Sequence, residues 1–160
     1  LALGDALGQP LAQRRPGDFD PVGDLAGGGP FELPRGAWSD ETAMALCLAE
    51  SLAACGGVDL ADQVARYAAW QRDGTGSSTG RCLGISAATA RALAQAQWTG
   101  QPRAGSHDPA RADKEPLTRV GPAVVPYLRD PAAAVEAAVE CARVTHQAPV
   151  TLDAVRYLAA

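Results

Sequence analysis

From Ser39 onward the apolar residues of this chain recur every three or four positions, between residues that start helices and residues that stop them. Such spacing lays one stripe along an α-helix, whereas single alternation of apolar and polar residues marks a half-buried strand. No segment alternates in that way, so the chain is restricted to helices packed on helices, an all-α fold. Ala43, Met44, Cys47, Leu48 and Leu52 predict a helix over about residues 40–55, stopped by Gly56-Gly57. Asp59 reads as the cap of a second helix that carries Leu60, Val64, Tyr67 and Trp70 until Asp73-Gly74. The connection between the two is short, which sets them side by side.

Ser86 caps an Ala-rich third helix through Leu93 to about Trp98. Asp130-Pro131 opens a fourth over Ala132 to Val144, because Pro is tolerated at the first helical position. Thr151 reads as the cap of a last helix reaching Ala160. Gly and Pro crowd residues 10–38 into a long, shaped loop, Gly74 to Gly80 is a small polar loop, and Gly100 to Lys114 reads as an exposed connection. A chain of 160 residues can bury a sizeable core, so residues 1–160 are expected to form one domain with its chemistry on loops and helix ends.

Composition narrows the partners. With 14 basic and 18 acidic residues the net charge is -4, which supplies no cationic field for a nucleic-acid backbone. Cys47, Cys55, Cys82 and Cys141 form no CxxC pair and no dense disulfide spacing, and read as reduced packing residues of a cytoplasmic protein. No apolar run reaches the length of a membrane span, so a soluble protein without a membrane partner is expected. The sequence begins without Met and stops inside Tyr157-Leu158-Ala159-Ala160, and both ends are expected to be cuts within a longer sequence.

The sharpest chemical feature is Gly36-Ala37-Trp38-Ser39-Asp40-Glu41-Thr42, which delivers a hydroxyl and two adjacent carboxylates to a helix start. Hard cations such as Mg²⁺ take oxygen ligands, and consecutive residues at a helix N-terminus can aim several oxygens at one place. Taken alone, the motif favours capping over metal, because Ser and Asp are preferred N-caps and acidic residues complement the helix dipole.

The surrounding order separates these readings. Gly4-Asp5-Ala6-Leu7-Gly8-Gln9-Pro10, then Gly28-Gly29-Pro30-Phe31, then Trp38-Ser39-Asp40-Glu41-Thr42-Ala43-Met44-Ala45-Leu46 resembles the ADP-ribosylglycohydrolase family. That family, with its dinitrogenase-reductase-activating and ADP-ribosylarginine-hydrolysing branches, has a Gly-Asp-Ala-Leu-Gly-x-Pro opening and a Trp-Thr-Asp-Asp-Thr metal motif. The likeness continues through Arg66-Tyr67-x-x-Trp70, Gly80-x-Cys82, Leu117-x-Arg119-Val120-x-Pro122, and Thr145-His146 with Asp153-Ala154, and covers nearly the whole chain.

The resemblance implies a compact orthogonal helical bundle of that family's type, represented by its N-terminal part. It makes Ser39, Asp40 and Glu41 the first half of a magnesium site, with Asp40 and Glu41 the catalytic carboxylates. In the family the other ligands come from a C-terminal Asp-x-Asp-Thr motif, and two ions sit in a complete site. Nothing here matches that motif, so this chain builds half a site of poor affinity. The implied reaction is hydrolysis of the glycosidic bond joining ADP-ribose to a protein or a small conjugate. Gly28 and Gly29, whose amides can approach a pyrophosphate, join Arg119 and His146 as candidate substrate-binding residues, alongside the loop Gly74 to Gly80.

Each of these residues also has a plainer role. The glycines suit tight turns, Arg119 suits pairing with a nearby carboxylate, and His146 suits capping the last carbonyls of a helix, the preferred assignment. Trp38 and Tyr67 can flank an adenine or, as large aromatics at helical spacing usually do, fill the core. Two departures from the family pattern bear directly on catalysis, Ala12 where some members carry a Glu base and Gly84 where many read Asp; Ser39-Asp40-Glu41 also stands for Thr-Asp-Asp, and Asp113-Lys114-Glu115-Pro116, for an Asn-Gly-Ser loop, bears on substrate recognition. Ala12 and Gly84 favour a second reading, an ADP-ribose-binding pseudoenzyme. The third is a helical structural protein, a use to which the family's fold has been put in an eye-lens crystallin.

Overall fold

A computed structural model describes residues 1–160 as eight α-helices joined by loops and short 3₁₀ turns, with no strand. In chain order these are α1 (Ala2–Gly8), α2 (Asp40–Cys55), α3 (Leu60–Asp73), α4 (Ala87–Thr99), α5 (Glu115–Arg119), α6 (Gly121–Val124), α7 (Pro131–Arg143) and α8 (Pro149–Ala159). The four helices expected over residues 40–144 form where the periodicity puts them. Asp59 accepts from the amides of Ala61 and Asp62, Ser86 from Thr89, and Asp130 from Ala133, so all three polar caps satisfy donors at helix starts.

Helix α2 is the centre of the molecule. One side places Ala43, Met44 and Cys47 against Val64, Tyr67 and Trp70 of α3 and Leu93 of α4. Its other side places Leu48 and Leu52 against Val139 and Cys141 of α7 and Leu152 and Val155 of α8. A helix buried on two sides cannot be strongly amphipathic, and α2 reads accordingly as almost continuous Ala, Leu, Met and Cys. Burial pushes the thiols of Cys47 and Cys141 up to about 11 and about 12, which keeps them protonated packing groups. Tyr67 and Trp70 are fully buried, so both are core residues and Tyr67 flanks no ligand; Trp38 packs against the same cluster.

Two expectations are corrected, and two segments that carried none prove helical. Thr151 is not the cap of α8: the helix begins at Pro149, and the Thr151 hydroxyl instead accepts from Asp113 N and donates to Asp113 O, at 3.1 Å each. The segment 100–114 is not a free connection, because Ala104 and Gly105 are buried and Gly105 is stitched to the turn after α7. Gly105 N donates to Arg143 O at 3.2 Å, Gln147 N to Ser106 O at 3.0 Å, and Gln147 Nε2 to Gly105 O at 2.9 Å. Finally, residues 2–8 and 115–124 are helical although nothing in their periodicity required it; such short pieces take their stability from packing against α2.

Candidate active site

The Ser39-Asp40-Glu41-Thr42 segment enters α2 with Ser39 in the N-cap position, yet the Ser39 side chain makes no cap bond. The cap is supplied from α1. Asp5 Oδ2 accepts from Ser39 N at 3.0 Å, Thr42 N at 3.2 Å and Thr42 Oγ1 at 2.7 Å. Asp5 Oδ1 accepts from Ser39 Oγ at 2.8 Å and from Gln9 Nε2 at 3.0 Å. A carboxylate on the positive end of α2 gains both hydrogen bonds and dipole stabilisation, and it ties the N-terminal helix to the mouth of the site.

Ser39 Oγ also lies 2.8 Å from Glu41 Oε2. One hydroxyl hydrogen can serve only one of its two carboxylate neighbours at a time, so negative charge here exceeds the donors available. Glu41 and Asp5 line an open cleft of about 470 Å³ with Gly4, Gly8, Gln9, Ala12 and Thr118. Asp40 has different surroundings. Its carboxylate lies against Gly84, whose φ of +81° brings the chain close, and its pKa is pushed from 3.8 to about 7 by burial first and by the neighbouring Glu41 carboxylate second. Glu115 adds to that repulsion.

These donors suit a hard cation: they are all oxygens, they carry excess negative charge, and Asp40 ionises more easily if positive charge arrives. They make a partial shell only, for no three His, Cys, Asp or Glu side chains come together closely enough to enclose an ion.

The remaining candidates lie elsewhere. Gly28 N donates to Leu33 O at 2.7 Å and Gly28 O accepts from Leu33 N at 3.0 Å, so its amide closes a turn. A side chain on Gly29 would overlap the carbonyl of Gln9, which identifies this glycine as the joint between that turn and α1. Ser78 of the loop Gly74 to Gly80 accepts from Trp38 N at 3.0 Å and donates to Trp38 O at 2.6 Å, which fixes the residue just before Ser39.

Arg119 is turned inward. It is 4% exposed, donates through Nη2 to Thr145 Oγ1 at 2.5 Å, lies 5.8 Å above the Tyr67 ring and stands 3.9 Å from Glu115 Oε2. His146 caps no carbonyl. Its buried ring places Nδ1 3.0 Å from Thr145 Oγ1 and leaves Nε2 unpartnered, 3.9 Å from Glu115 Oε2. Burial, then the charge of Arg119, lowers its pKa and keeps the ring neutral. His146 also lines a cavity of about 320 Å³ with Arg91, Gln95, Ser106, His107 and Arg111, which contains no carboxylate.

Two residues that shape the candidate site escaped the sequence reading. Asp5 stood in the quoted opening motif, but only the structure shows what it holds. Glu115, which accepts from Thr89 Oγ1 at 2.6 Å, had a signal in the altered 113–116 loop.

The pattern of the ADP-ribosylglycohydrolase family matches residues 1–160, the whole chain. The chain belongs to the ADP-ribosylglycohydrolase family. It is 36% identical over 160 residues to a protein of Pseudomonas putida (strain GB-1) named ADP-ribosylarginine hydrolase Tri1, and 41% identical over 122 residues to the protein of that name from Serratia proteamaculans (strain 568). It covers 43% and 33% of those two relatives, while the matches take in 100% and 76% of this chain. A solved structure described as an ADP-ribosylglycohydrolase-related protein complex matches with a TM-score of 0.84 and 40% identity, over 99% of this chain and 50% of the solved one. The chain therefore spans half the length or less of these similar proteins, and its all-helical fold is that of the solved structure.

Proposed function

We propose that this chain carries the N-terminal share of a magnesium-dependent hydrolase that removes ADP-ribose from arginine side chains of modified proteins. The observation that supports it is the unbalanced carboxylate group at the start of α2: Ser39 Oγ shared between Asp5 and Glu41, and Asp40 pushed up to about 7. The names of the two relatives suggest arginine as the modified residue.

Asp40 and Glu41 would hold Mg²⁺, with the Ser39 oxygen beside them. Bound there, the ion would supply charge to orient ribose hydroxyls and a water and to stabilise an oxocarbenium-like transition state. The chain's own residues do the rest. Asp5 holds the Ser39 and Thr42 amides so that the two carboxylates keep their positions at the helix mouth. Gly84 leaves room for the Asp40 carboxylate. The carboxylate-free cavity of Arg91, Arg111 and His146 offers cationic groups and the unpartnered His146 Nε2 to a diphosphate.

The test is calorimetric titration of Mg²⁺ into the 160-residue chain, followed by an assay of ADP-ribose release from an ADP-ribosylated arginine peptide. Weak binding is expected, since half a ligand set leaves most positions to water, and Asp40→Ala should abolish it. Absence of binding at millimolar Mg²⁺, or turnover independent of the ion, would overturn the proposal.

A second reading has its own support. Ala12 lines the Glu41 cleft where a proton-transferring side chain would have to sit, and Gly84 brings no carboxylate to Asp40. ADP-ribose that binds without being released from a conjugate would select this binding module.

A further inference from the structure

The altered 113–116 loop places a carboxylate, Glu115, at the first position of α5, and its side chain is only 16% exposed. Three buried polar side chains surround Glu115 Oε2. Thr89 Oγ1 donates to it at 2.6 Å, Arg119 Nη1 stands 3.9 Å away, and His146 Nε2 is also 3.9 Å away. Only the first of these distances is a hydrogen bond. His146 Nε2 has no partner although the ring is 2% exposed, and a buried polar atom left bare needs a reason. Glu115 supplies it: the carboxylate stands in front of that nitrogen without bonding to it.

A hydroxyl, a guanidinium and an imidazole around one oxyanion also form the kind of group that holds a phosphoryl oxygen. The adjoining cavity of about 320 Å³ has the same preference. Ala88, Arg91 and Ala92, on the helix that carries Thr89, line it together with Arg111, which lies 3.5 Å from Asp108, and with the buried pair Thr145 and His146. A side chain on Gly105 would overlap the His146 backbone, so the loop that closes this cavity is held tightly against the turn between α7 and α8. An anion that enters and reaches for His146 Nε2 therefore meets the Glu115 charge, and like charges brought together out of water repel.

We propose that Glu115 is an internal counter-anion that holds the place of a ligand's phosphate, so that a diphosphate gains Thr89 and His146 only by displacing it. Glu115 thereby sets the specificity of the cavity: small free phosphates are kept out, and a ligand must bring further contacts to move the carboxylate aside. Rotation of the side chain is enough, because Asp113 stays pinned to Thr151 by two hydrogen bonds of 3.1 Å. This role rests on the diphosphate reading of the cavity and is independent of magnesium and of hydrolysis.

The test is calorimetric titration of inorganic pyrophosphate, without metal and at constant ionic strength, into the 160-residue chain and into its Glu115→Gln variant. Gln keeps the size of the side chain and accepts from Thr89, but carries no charge. Glu115→Gln is expected to bind about tenfold or more tightly than the unaltered chain. Glu136→Gln, which removes an exposed carboxylate from α7, should bind as the unaltered chain does. Equal measurable affinity of Glu115→Gln and the unaltered chain would overturn the gate alone, as would an equal gain by Glu136→Gln. Absence of binding by Glu115→Gln would overturn both the gate and the diphosphate reading. Heteronuclear NMR of the His146 ring locates the anion: its signals should shift as Glu115→Gln is titrated, and saturation that leaves them in place would overturn the proposal. A second variant, Glu115→Ala, removes the internal anion and should be destabilised. Formate in place of chloride should raise its melting temperature by several degrees and leave that of the unaltered chain unchanged. Formate that does no more than chloride, including failure to refold a Glu115→Ala chain that is unfolded in chloride, would refute the counter-anion role.

Discussion

The carboxylate of Asp40 occupies the space that a side chain on Gly84 would need, with Oδ1 overlapping an ideal Cβ there. Gly84 also has a φ of +81°, which L side chains rarely adopt. The departure at position 84 and the placement of Asp40 are thus one structural fact: the loop gives up its side chain and the helix carboxylate moves in. Gly84→Ala should destabilise the chain by about 1–3 kcal/mol from backbone strain alone. It should cost less in an Asp40→Ala background, where the overlap is gone. A double-mutant cycle by chemical denaturation measures this coupling, and additive costs would refute it.

Asp5 does for α2 what Ser39 was expected to do. Asp5→Ala removes the acceptor for two amides and two hydroxyls at once, whereas loss of an ordinary cap costs about 1 kcal/mol. A loss of about 2 kcal/mol or more is expected, together with release of α1 from α2. Ser39→Ala should cost less than Asp5→Ala. Urea midpoints of the two variants decide the order.

Asp40 sets a pH dependence of unusual sign. Its folded pKa, about 7, lies above the ordinary 3.8, so the folded state holds the proton more tightly than the unfolded chain does. The stability it contributes is fully present below about pH 4 and is lost as pH rises through 7. Asp40→Asn should remove this slope and raise stability at pH 8. Added Mg²⁺, if it binds there, should flatten the same slope in the unaltered chain.

His146 acts in the opposite direction. Its folded pKa is lowered from 6.5 by burial and by Arg119, so its contribution is present above 6.5 and is lost as pH falls below it. His146→Gln should make unfolding less sensitive to acid below about pH 6.5, as thermal melts at falling pH will show.

Arg119, a candidate for substrate, is placed as a core cation. Arg119→Ala should cost about 3–5 kcal/mol, the penalty for leaving Glu115 without its buried partner. Pairing Arg119→Met with Glu115→Gln should recover much of that loss. A residue waiting for ligand would show no such rescue in denaturation experiments.

Periodicity and capping were enough to place α2, α3, α4 and α7, because each carries a long apolar stripe between a polar start and a stop, and such signals act within one or two helical turns. The order of the motifs was enough to place the chain in its family. What the linear order could not contain was which side chain reaches which helix. Asp5 caps α2 from 34 residues away, and Thr151 serves Asp113 from 38 residues away rather than its own helix. Arg119 and His146 face inward because Thr145, Glu115 and Tyr67 surround them once α5 and the α7–α8 turn have packed on α2. Helix formation is governed by neighbours along the chain and was legible there. The direction in which a polar side chain points depends on partners brought together only by burial, and tertiary packing alone decided it.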